Sequence, residues 1–433
     1  MRTRDEIEAL LRSALGRVTL GEAEAGFQHD TLLATRFGDN AITQNTAATT
    51  ERVTIDVIHD GRRGSASTNT LDDDALAAAA RRAEAIARHA PPDPEHVALP
   101  GPQAYPATPP AFFEDTDAVT PQAVAGDVGV VVARARAAGY TASGLFQAST
   151  HAHAVANTHG LFAHHAHTAV DFSTTIHGPN GSGKAEQSRN AYGRVDVARL
   201  ADTAVANAAL AQDPRPLPPG DYTVIFEPLA VGELLAFLAW TLSARDAAEG
   251  TTPFAGTLGT QLFGDKVSLS LRLDDPDLPA PPFGDAGLAM RPTTWVDRGV
   301  VRRLHHNRYW AARQGETPDA ASWPLFMAGE DRSVDDLVRA CSRGLLVKNL
   351  WYIRFVDRRS LMLTGMTRDG LFLVEDGQVR HPVKNLRWNE SPITFLRNVV
   401  GLSRPERVGG WVPAMLPAVM SEAFTFTSTT DSI

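Results

Sequence analysis

Cysteine is almost absent from this chain of 433 residues, in which Cys341 is the only one. A single thiol excludes an internal disulfide framework and a metal site built from several cysteines. Long apolar runs are also missing, since none approaches the roughly 20 residues that a membrane-spanning helix needs. The first residues, MRTRDEIEALL, have the pattern of a charged amphipathic helix rather than a signal peptide. We therefore expect a protein of the reducing cytoplasm.

Excess positive charge is lacking as well, because the formal net charge is −9 at pH 7. No basic cluster is interleaved with aromatic residues, which argues against nucleic acid or an anionic membrane as the main partner. With 43% hydrophobic and 21% charged residues, the composition is that of an ordinary soluble globular protein. The length allows two or three domains with a large core.

Familiar catalytic motifs are missing too. There is no G-x-S-x-G nucleophile elbow, and no Ser/His/Asp triad can be identified from the spacing of residues. The segment GPNGSGK, residues 178–184, fits G-x4-G-K, but Ala185 stands where a phosphate-binding loop needs Ser or Thr for Mg²⁺. A Gly- and Asn-rich hairpin turn is therefore the preferred interpretation.

Two proline-rich segments divide the chain. The first runs from His89 to Pro110, and the second, DPRPLPPG, from Asp213 to Gly220. Short turns between strands imply much antiparallel pairing. We predict an α+β fold with mixed, largely antiparallel sheets, an N-terminal α/β region and a larger, β-rich C-terminal domain. The predicted ranges are an N-terminal domain at 1–90, a linker at 91–119, a central α/β domain at 120–213 and a C-terminal domain at 220–433.

The segment DGLFLVEDGQVRHPVKNLRWNESP, residues 369–392, is the most specific in the chain. An apolar strand leads into a turn in which Gly377 can take positive φ. A return strand is predicted from Val379 to Leu386, bulged or at a sheet edge because Pro382 has no N–H. Ser391-Pro392 then has the residue types of a helix N-cap and first position.

This segment resembles the C-terminal domain of the TldD/PmbA family of metallopeptidase-related proteins. Other stretches are similar to further parts of that family, occur in the same order and span nearly the whole chain. They are DGRRGSASTNTLDDDALAAAARR (60–82), NTHGLFA (157–163) and YTVIFEP (222–228). The resemblance therefore covers the N-terminal, central and C-terminal regions.

Active members of this family carry an HExxxH helix directly after the strand that Thr223–Pro228 resembles. Two His one turn apart supply zinc ligands, and the Glu between them acts as general base. Here that helix reads PLAVGELLAFLAWTLSAR, with no His and with Glu233 as its only ionisable group before Arg245. The family's third ligand, a Cys near the C-terminus, has no counterpart after Gly401. We predict no catalytic residue and no metal ligand in this chain, with Glu233 an ordinary helix residue.

Histidines are concentrated in the central region, where residues 151–177 hold seven of the chain's 14. Residues two apart in a strand face the same way, so two pairs in this region could each chelate a metal. Polar positions on half-exposed strands are the simpler interpretation. The seven are His151, His153, His159, His164, His165, His167 and His177.

Two further stretches alternate polar and aromatic residues: NLWYIR, 349–354, and NLRWNE, 385–390. Strands of this kind suit the binding of an extended peptide by edge addition. The resemblance implies a hollow dimer that binds substrate as an unfolded strand, and it places Arg354, Asn385 and Arg387 in that chamber. The alternative is that these residues pack the domain or the subunit contact.

The resemblance thus predicts a zinc-less, TldE-like subunit of a cytoplasmic metallopeptidase complex that cleaves leader peptides or unfolded chains. The zinc would lie in a TldD-like partner subunit of a heterodimer, although a homodimer is also open. One alternative is a self-associating, peptide-binding scaffold without peptidase activity. Another is an active metallopeptidase that uses the His-rich region as a non-standard metal site.

Overall fold

The computed structural model describes residues 1–409 and 413–430, so the predicted C-terminal domain at 220–433 is described except for residues 410–412 and 431–433. The fold is α+β, as predicted, with two modules that meet near residue 213. No helix in the described ranges is long and apolar enough to cross a membrane. The helices are α1 (Arg4–Leu15), α2 (Asp73–His89), α3 (Glu114–Asp117), α4 (Pro121–Ala137), α5 (Val197–Leu210), α6 (Pro228–Ala239), α7 (Ala244–Ala248), α8 (Arg308–Gln314), α9 (Val334–Ala340) and α10 (Pro392–Arg397).

The strands fall into one sheet in the N-terminal module and two in the C-terminal module. Those of the N-terminal module are β1 (Glu22–Gly38), β2 (Ala41–His59), β3 (Arg62–Thr68), β4 (Thr141–Asn157), β5 (Phe162–His177) and β6 (Ser182–Arg189). Those of the C-terminal module are β7 (Gly220–Phe226), β8 (Leu269–Leu271), β9 (Thr293–Asp297), β10 (Val300–Val301), β11 (Leu325–Met327), β12 (Arg343–Val347), β13 (Leu350–Asp357), β14 (Met362–Thr367), β15 (Leu371–Glu375), β16 (Gln378–Pro382), β17 (Leu386–Glu390), β18 (Val399–Leu402), β19 (Glu406–Val408), β20 (Ala414–Leu416) and β21 (Val419–Thr429).

The N-terminal module is built on a single antiparallel sheet in the order β3-β2-β1-β4-β5-β6. Strand β1 pairs with β2 on one side and with β4 on the other, over fourteen residue pairs from Glu24 to Phe37 in the second case. The ranges 1–90 and 120–213, predicted as separate domains, thus share one sheet. The linker lies between the two ranges in the sequence, but the strands on either side of it belong to the same sheet.

The two faces of this sheet differ because side chains alternate along each strand. One face carries apolar residues such as Phe27, Phe146 and Phe172, which pack under α1, α2, α4 and α5 in two core clusters. The register of β1, β4, β5 and β6 brings a different set to the other face. That set, here called the polar face, includes Asp30, Gln147, Ser149, His151, His153, His165, His167, Asp171, Ser173, Lys184, Glu186 and Ser188.

The segment GPNGSGK lies at the turn between β5 and β6, which pair antiparallel from Val170–Arg189 to His177–Ser182. The prediction of a hairpin turn is confirmed. Its glycines let the hairpin approach α5 closely, because a Cβ on Gly183 would lie 2.2 Å from the backbone N of Ala208.

The C-terminal module contains a nine-stranded sheet and a smaller six-stranded sheet, as far as the described residues go. Both are mixed, since β12 runs parallel to β7 and β11 runs parallel to β20. The core of the module packs between them and around α6 and α10. Cys341 is buried at the end of α9, where burial raises the pKa of its thiol.

The segment 369–392 folds largely as predicted. Gly377 takes φ +71° in the β15–β16 turn, β16 is the edge strand of its sheet, and Ser391 accepts a hydrogen bond from the N–H of Ile393 at the start of α10. The single return strand predicted from 379 to 386 is wrong. β16 ends at Pro382, which has no N–H to continue the ladder, and β17 is a separate strand between β14 and β21.

The connection between α2 and α3, residues 90–113 and here called the strap, has no strand or helix of its own and lies against both modules. Arg245 donates two hydrogen bonds to the Glu95 carboxylate, at 2.7 and 2.8 Å. Arg308 donates to two strap carbonyls, and the Tyr105 hydroxyl donates to the backbone oxygen of Gly287 at 2.9 Å. The strap is therefore held by specific contacts along its length.

Candidate functional site

Helix α6 follows β7 directly and has one face in the core and one in a groove. Pro228 occupies its first position, where the missing N–H costs nothing. The helix ends at Ala239, and after a short turn Ser243 caps α7. Its buried face packs on the sheets through Val231, Leu234, Leu235 and Leu238.

The opposite face of α6 lines a cavity of 670 Å³, here called the α6 groove. The lining positions recur at helical spacing, three or four residues apart. The residues of α6 and its C-cap that line it are Leu229, Gly232, Glu233, Ala236, Phe237 and Trp240. The helix is apolar nearly all round and forms an apolar wall of an open cavity. The carboxyl group of Glu233 is the one charged group on that wall.

Strand β13 forms the other wall of the α6 groove and is an edge strand of the nine-stranded sheet. Trp351 and Tyr352 are 48% and 59% exposed there, and the Arg354 guanidinium lies 4.4 Å from the centre of the Tyr352 ring. Phe355 contacts Phe237 across the groove, with ring centres 5.1 Å apart. Aromatic side chains therefore come from both walls.

Glu233 is the one ionisable α6 residue in this groove. Burial raises the pKa of its carboxyl group, while nearby Lys184 lowers it and Glu186 raises it further. Zinc needs three or four ligands of the His, Cys or carboxylate type, and no group of three or more such residues in the described part of the chain is arranged to hold a metal ion. The residues of the α6 groove do not fit a zinc ion.

A second cavity of 340 Å³ continues from the α6 groove, sharing Glu233 and Gly409 with it. Its other wall is the polar face of the N-terminal sheet, including Gln147, Asp171 and Ser188. Burial raises the pKa of the Asp171 carboxyl group. The groove therefore opens onto the polar face rather than ending at α6.

The polar face also brings together four of the seven histidines that lie between residues 151 and 177. His151 lies opposite His167 and His153 opposite His165 in the β4–β5 register. Ring centres are 4.8 Å apart for His151–His167, 5.5 Å for His165–His167 and 5.7 Å for His153–His165, and His153 contacts Phe283 of the C-terminal module at 4.8 Å. We call this row the imidazole ladder.

Three imidazoles of the ladder, those of His153, His165 and His167, are held in their neutral form. Burial, followed by the neighbouring imidazoles, lowers the pKa of His153 and of His165 to about 4. The same causes lower the pKa of His167 to about 3. The Nδ1 of His151 lies 2.6 Å from the Asp30 carboxylate. The ladder packs the sheet against the C-terminal module.

The three residues predicted to bind substrate do not meet in one cavity. Arg354 lines the α6 groove. Asn385 lines a separate cavity of 510 Å³ beside the β5–β6 turn, where its Oδ1 accepts a hydrogen bond from Thr367. Arg387 is exposed on β17, two strands from β13. Their role in substrate binding stays a prediction.

Sequence reasoning missed the aromatic wall of α6, chiefly Phe237 and Trp240. The available signal is that α6 is apolar on nearly every side, apart from Glu233, and a helix with almost no polar face must be buried all round or line an apolar cavity. The groove itself depends on β13, more than 100 residues later in the chain, which no local pattern links to α6.

Profiles of one class of protein, the PmbA/TldA metallopeptidases, match both modules. The C-terminal domain of that class matches residues 219–428, and its domain 1 matches residues 23–87. The chain belongs to the PmbA/TldD family. A comparison with curated protein sequences finds no match.

Solved structures share the whole fold at low sequence identity. TldE from Thermococcus kodakarensis is 20% identical with a TM-score of 0.89, over 97% of this chain and 99% of that one. A Thermotoga maritima protein described as a proposed modulator of a DNA gyrase is 17% identical with a TM-score of 0.87, over 98% and 100%. A Bacteroides thetaiotaomicron protein with a similar description is 19% identical with a TM-score of 0.85, over 99% and 100%.

Proposed function

We propose that this chain is the zinc-less, TldE-like subunit of a cytoplasmic TldD/TldE-type metallopeptidase. A zinc-bearing, TldD-like subunit supplies the metal that activates water. This chain binds the extended peptide and completes the chamber, and it contributes no catalytic residue. Leader peptides or unfolded chains are the substrates.

The observation that carries the proposal is the composition of the exposed face of α6. In active relatives the corresponding helix is expected to present two imidazoles and a carboxylate, whereas here it presents Gly232, Glu233, Ala236 and Phe237. One carboxylate cannot replace a zinc ligand set. The face is suited to contact an apolar side chain of a bound chain instead.

The geometry of β13 supports a peptide as the ligand. An edge strand has unpaired backbone groups, so an extended peptide can add to it while its side chains enter adjacent pockets. Trp351 and Phe355 offer apolar contact area beside that edge. Aromatic residues of this kind contribute most of the binding energy at many interfaces.

The proposal is tested by peptidase assays on purified protein. Alone, the chain should not cleave a denatured peptide with or without added Zn²⁺, and it should raise the activity of a TldD-like subunit when mixed with it. Failure to change that activity would favour the scaffold alternative. Chelator-sensitive cleavage by the lone chain, together with stoichiometric zinc lost in a His165→Ala/His167→Ala variant, would favour an active enzyme.

Peptide binding has its own test. Trp351→Ala should weaken the binding of a fluorescently labelled, denatured peptide about tenfold, as expected for a central aromatic contact. Leu210→Ala, which removes an exposed apolar residue at the end of α5, is the matched control and should leave binding unchanged. Equal affinities for the two variants would remove β13 from the binding site.

A further inference from the structure

A third cavity, of 680 Å³, lies beside the C-terminal end of α6 and is here called the tryptophan pocket. Trp240 and Trp323 line it and are 38% and 47% exposed, and Phe283, His153 and His305 add further rings to its walls. Its volume lies within the range of about 300–1,000 Å³ that is usual for ligand sites. Tryptophan is also among the residue types that contribute most to binding energy. Two exposed tryptophans in one cavity therefore point to a ligand.

The walls of the tryptophan pocket are fixed by backbone hydrogen bonds. The N–H of His305 donates to the carbonyl of Leu242 at 2.7 Å, and the N–H of Ala244 donates to the carbonyl of His305 at 2.9 Å. The N–H of Asp285 donates to the carbonyl of Ala320 at 2.9 Å, which joins two loops that line the pocket. The cavity is therefore part of the fold rather than a gap between independent loops.

The loop that carries Trp323 is anchored four residues earlier. Asp319 is only 6% exposed, and its carboxylate accepts hydrogen bonds from Arg303 at 3.0 and 3.2 Å and from the N–H of His306 at 2.9 Å. Its own N–H donates to the carbonyl of His306 at 2.8 Å. A loop held in this way is preorganised, which lowers the entropy cost of binding a ligand.

The lining of the tryptophan pocket is mostly neutral. Burial lowers the pKa of His153, to about 4, and that of His305. Asp285 has the only carboxyl group among the described residues that line the pocket, and it also lines a neighbouring cavity that contains Arg63 and Arg308. A charged side chain would lose its hydration in such a pocket. An aromatic ring would instead bury apolar area and contact other rings.

The tryptophan pocket is continuous with the α6 groove, because Trp240 lines both. The centre of one Trp240 ring lies 5.2 Å from that of Phe237, which contacts Phe355 of β13 across the groove. A row of aromatic rings thus leads from the edge strand to the pocket. A side chain of a peptide that lies along β13 is therefore the occupant that this arrangement favours.

We propose that the tryptophan pocket binds an aromatic side chain of the extended peptide in the α6 groove, so that the chain prefers peptides that contain Phe, Tyr or Trp. This inference rests on the proposed function, because it takes a peptide at β13 as the ligand. It adds what that function leaves open, namely the kind of side chain that the site selects.

Fluorescence anisotropy with three labelled, unstructured peptides tests the preference. The peptides contain no other aromatic residue and differ only at one central position, which is Phe, Ala or Lys. The wild-type chain should bind the Phe peptide at least about tenfold more tightly than the other two, as expected for a buried aromatic contact.

Trp323 separates the pocket from the groove, because it lines the tryptophan pocket but not the α6 groove. Trp323→Ala should reduce the affinity for the Phe peptide to that for the Ala peptide and leave the latter unchanged. Trp323→Phe keeps a ring and should retain the preference. Leu258→Ala is the matched control, since Leu258 is 62% exposed and lines neither cavity, and it should bind all three peptides as wild type does.

Circular dichroism and melting temperatures check that each variant is folded. Equal wild-type affinities for the three peptides, tighter binding of the Lys peptide, or a preference for Phe that Trp323→Ala leaves intact would overturn the inference while peptide binding stands. Binding of N-acetylphenylalaninamide as tight as that of the Phe peptide would also overturn it, since the ligand would then be a free aromatic compound. If the wild type binds none of the three peptides, the proposed function itself fails.

Discussion

The two faces of the N-terminal sheet are made from the same strands but have opposite compositions. Under the helices, alanine, valine and phenylalanine fill two core clusters. On the polar face, imidazole, carboxyl, amide and hydroxyl groups meet the C-terminal module and two connected cavities. The two faces of the sheet therefore have different roles. Burial of apolar area on one face stabilises the fold, while the other face offers polar groups that can bind a ligand.

The largest expected difference between the two faces is in the free energy of unfolding, when two adjacent residues, one on each face, are replaced by alanine. Phe172 is fully buried under the helices, with its ring 5.6 Å from that of Phe146. Phe172→Ala should lower the free energy of unfolding by about 3–5 kcal/mol because it leaves a cavity. Ser173→Ala, its neighbour on the polar face, should change it by about 0.5 kcal/mol or less. Urea denaturation of both variants measures the difference, and similar losses would contradict the comparison.

The imidazole ladder gives the polar face a pH dependence of its own. The pKa values of His153, His165 and His167 are about 4, 4 and 3 in the folded chain, below the value near 6.5 of an unfolded chain. The unfolded chain therefore binds more protons in acid, so stability is fully present above about pH 6.5 and falls toward pH 4. One imidazole accounts for at most about 3 kcal/mol of this loss for His153 or His165 and about 5 kcal/mol for His167, whose share is lost only as the pH falls to about 3.

A double variant isolates that loss. Thermal unfolding of His165→Gln/His167→Gln should depend less steeply on pH between 6.5 and 4 than that of wild type. His89→Gln, at the exposed end of α2, is the control and should keep the wild-type slope. Asp30 beside His151 and Arg407 near His167 are unchanged in both variants. An unaltered slope in the double variant would remove the ladder as the cause.

A smaller effect is expected where the sheet approaches a helix most closely. In Gly183→Ala the new Cβ would lie 2.2 Å from the backbone N of Ala208 and 2.5 Å from the carbonyl oxygen of Ala204. Backbone atoms cannot move aside as a flexible side chain can. We expect a loss of about 1–3 kcal/mol from overpacking, measured by chemical denaturation, and a neutral result would show that α5 is free to shift.

The smallest expected effect has the opposite sign. Gly126 lies within α4, and a Cβ there would meet nothing within 4 Å. Gly126→Ala should raise the free energy of unfolding by about 0.5–1 kcal/mol because alanine loses less backbone entropy in a helix. The same denaturation curves measure it, and a loss of stability would mean that the outer surface of α4 is covered.

Local patterns predicted the elements whose signals are local. The turn at Gly377, the cap at Ser391 and the hairpin at residues 178–184 depend on residues a few positions apart, and the structure confirms them. The pairing of β1 with β4 joins residues more than 100 positions apart. Nothing in either strand alone indicates that partner, so the single N-terminal sheet was not predicted.

For the candidate site too, the features contained in one short segment were predicted and those that depend on strand pairing were not. The resemblance located α6 and the missing imidazoles, because both are features of one short segment. The imidazole ladder needed the β4–β5 register, in which His151 meets His167 and His153 meets His165. Two-residue spacing placed each pair on one side of its strand, but only the register places all four in contact.

Both ends of the strap belong to the N-terminal module, and its side-chain and backbone contacts tie that module to the C-terminal one. Arg245 donates two hydrogen bonds to Glu95. Arg308 and the Tyr105 hydroxyl each donate a further hydrogen bond between the strap and the C-terminal module. A protease that cut the backbone within residues 90–113 would therefore release no fragment, because noncovalent contacts would hold the pieces together. Gels run in denaturant would show two bands where a native column showed one particle.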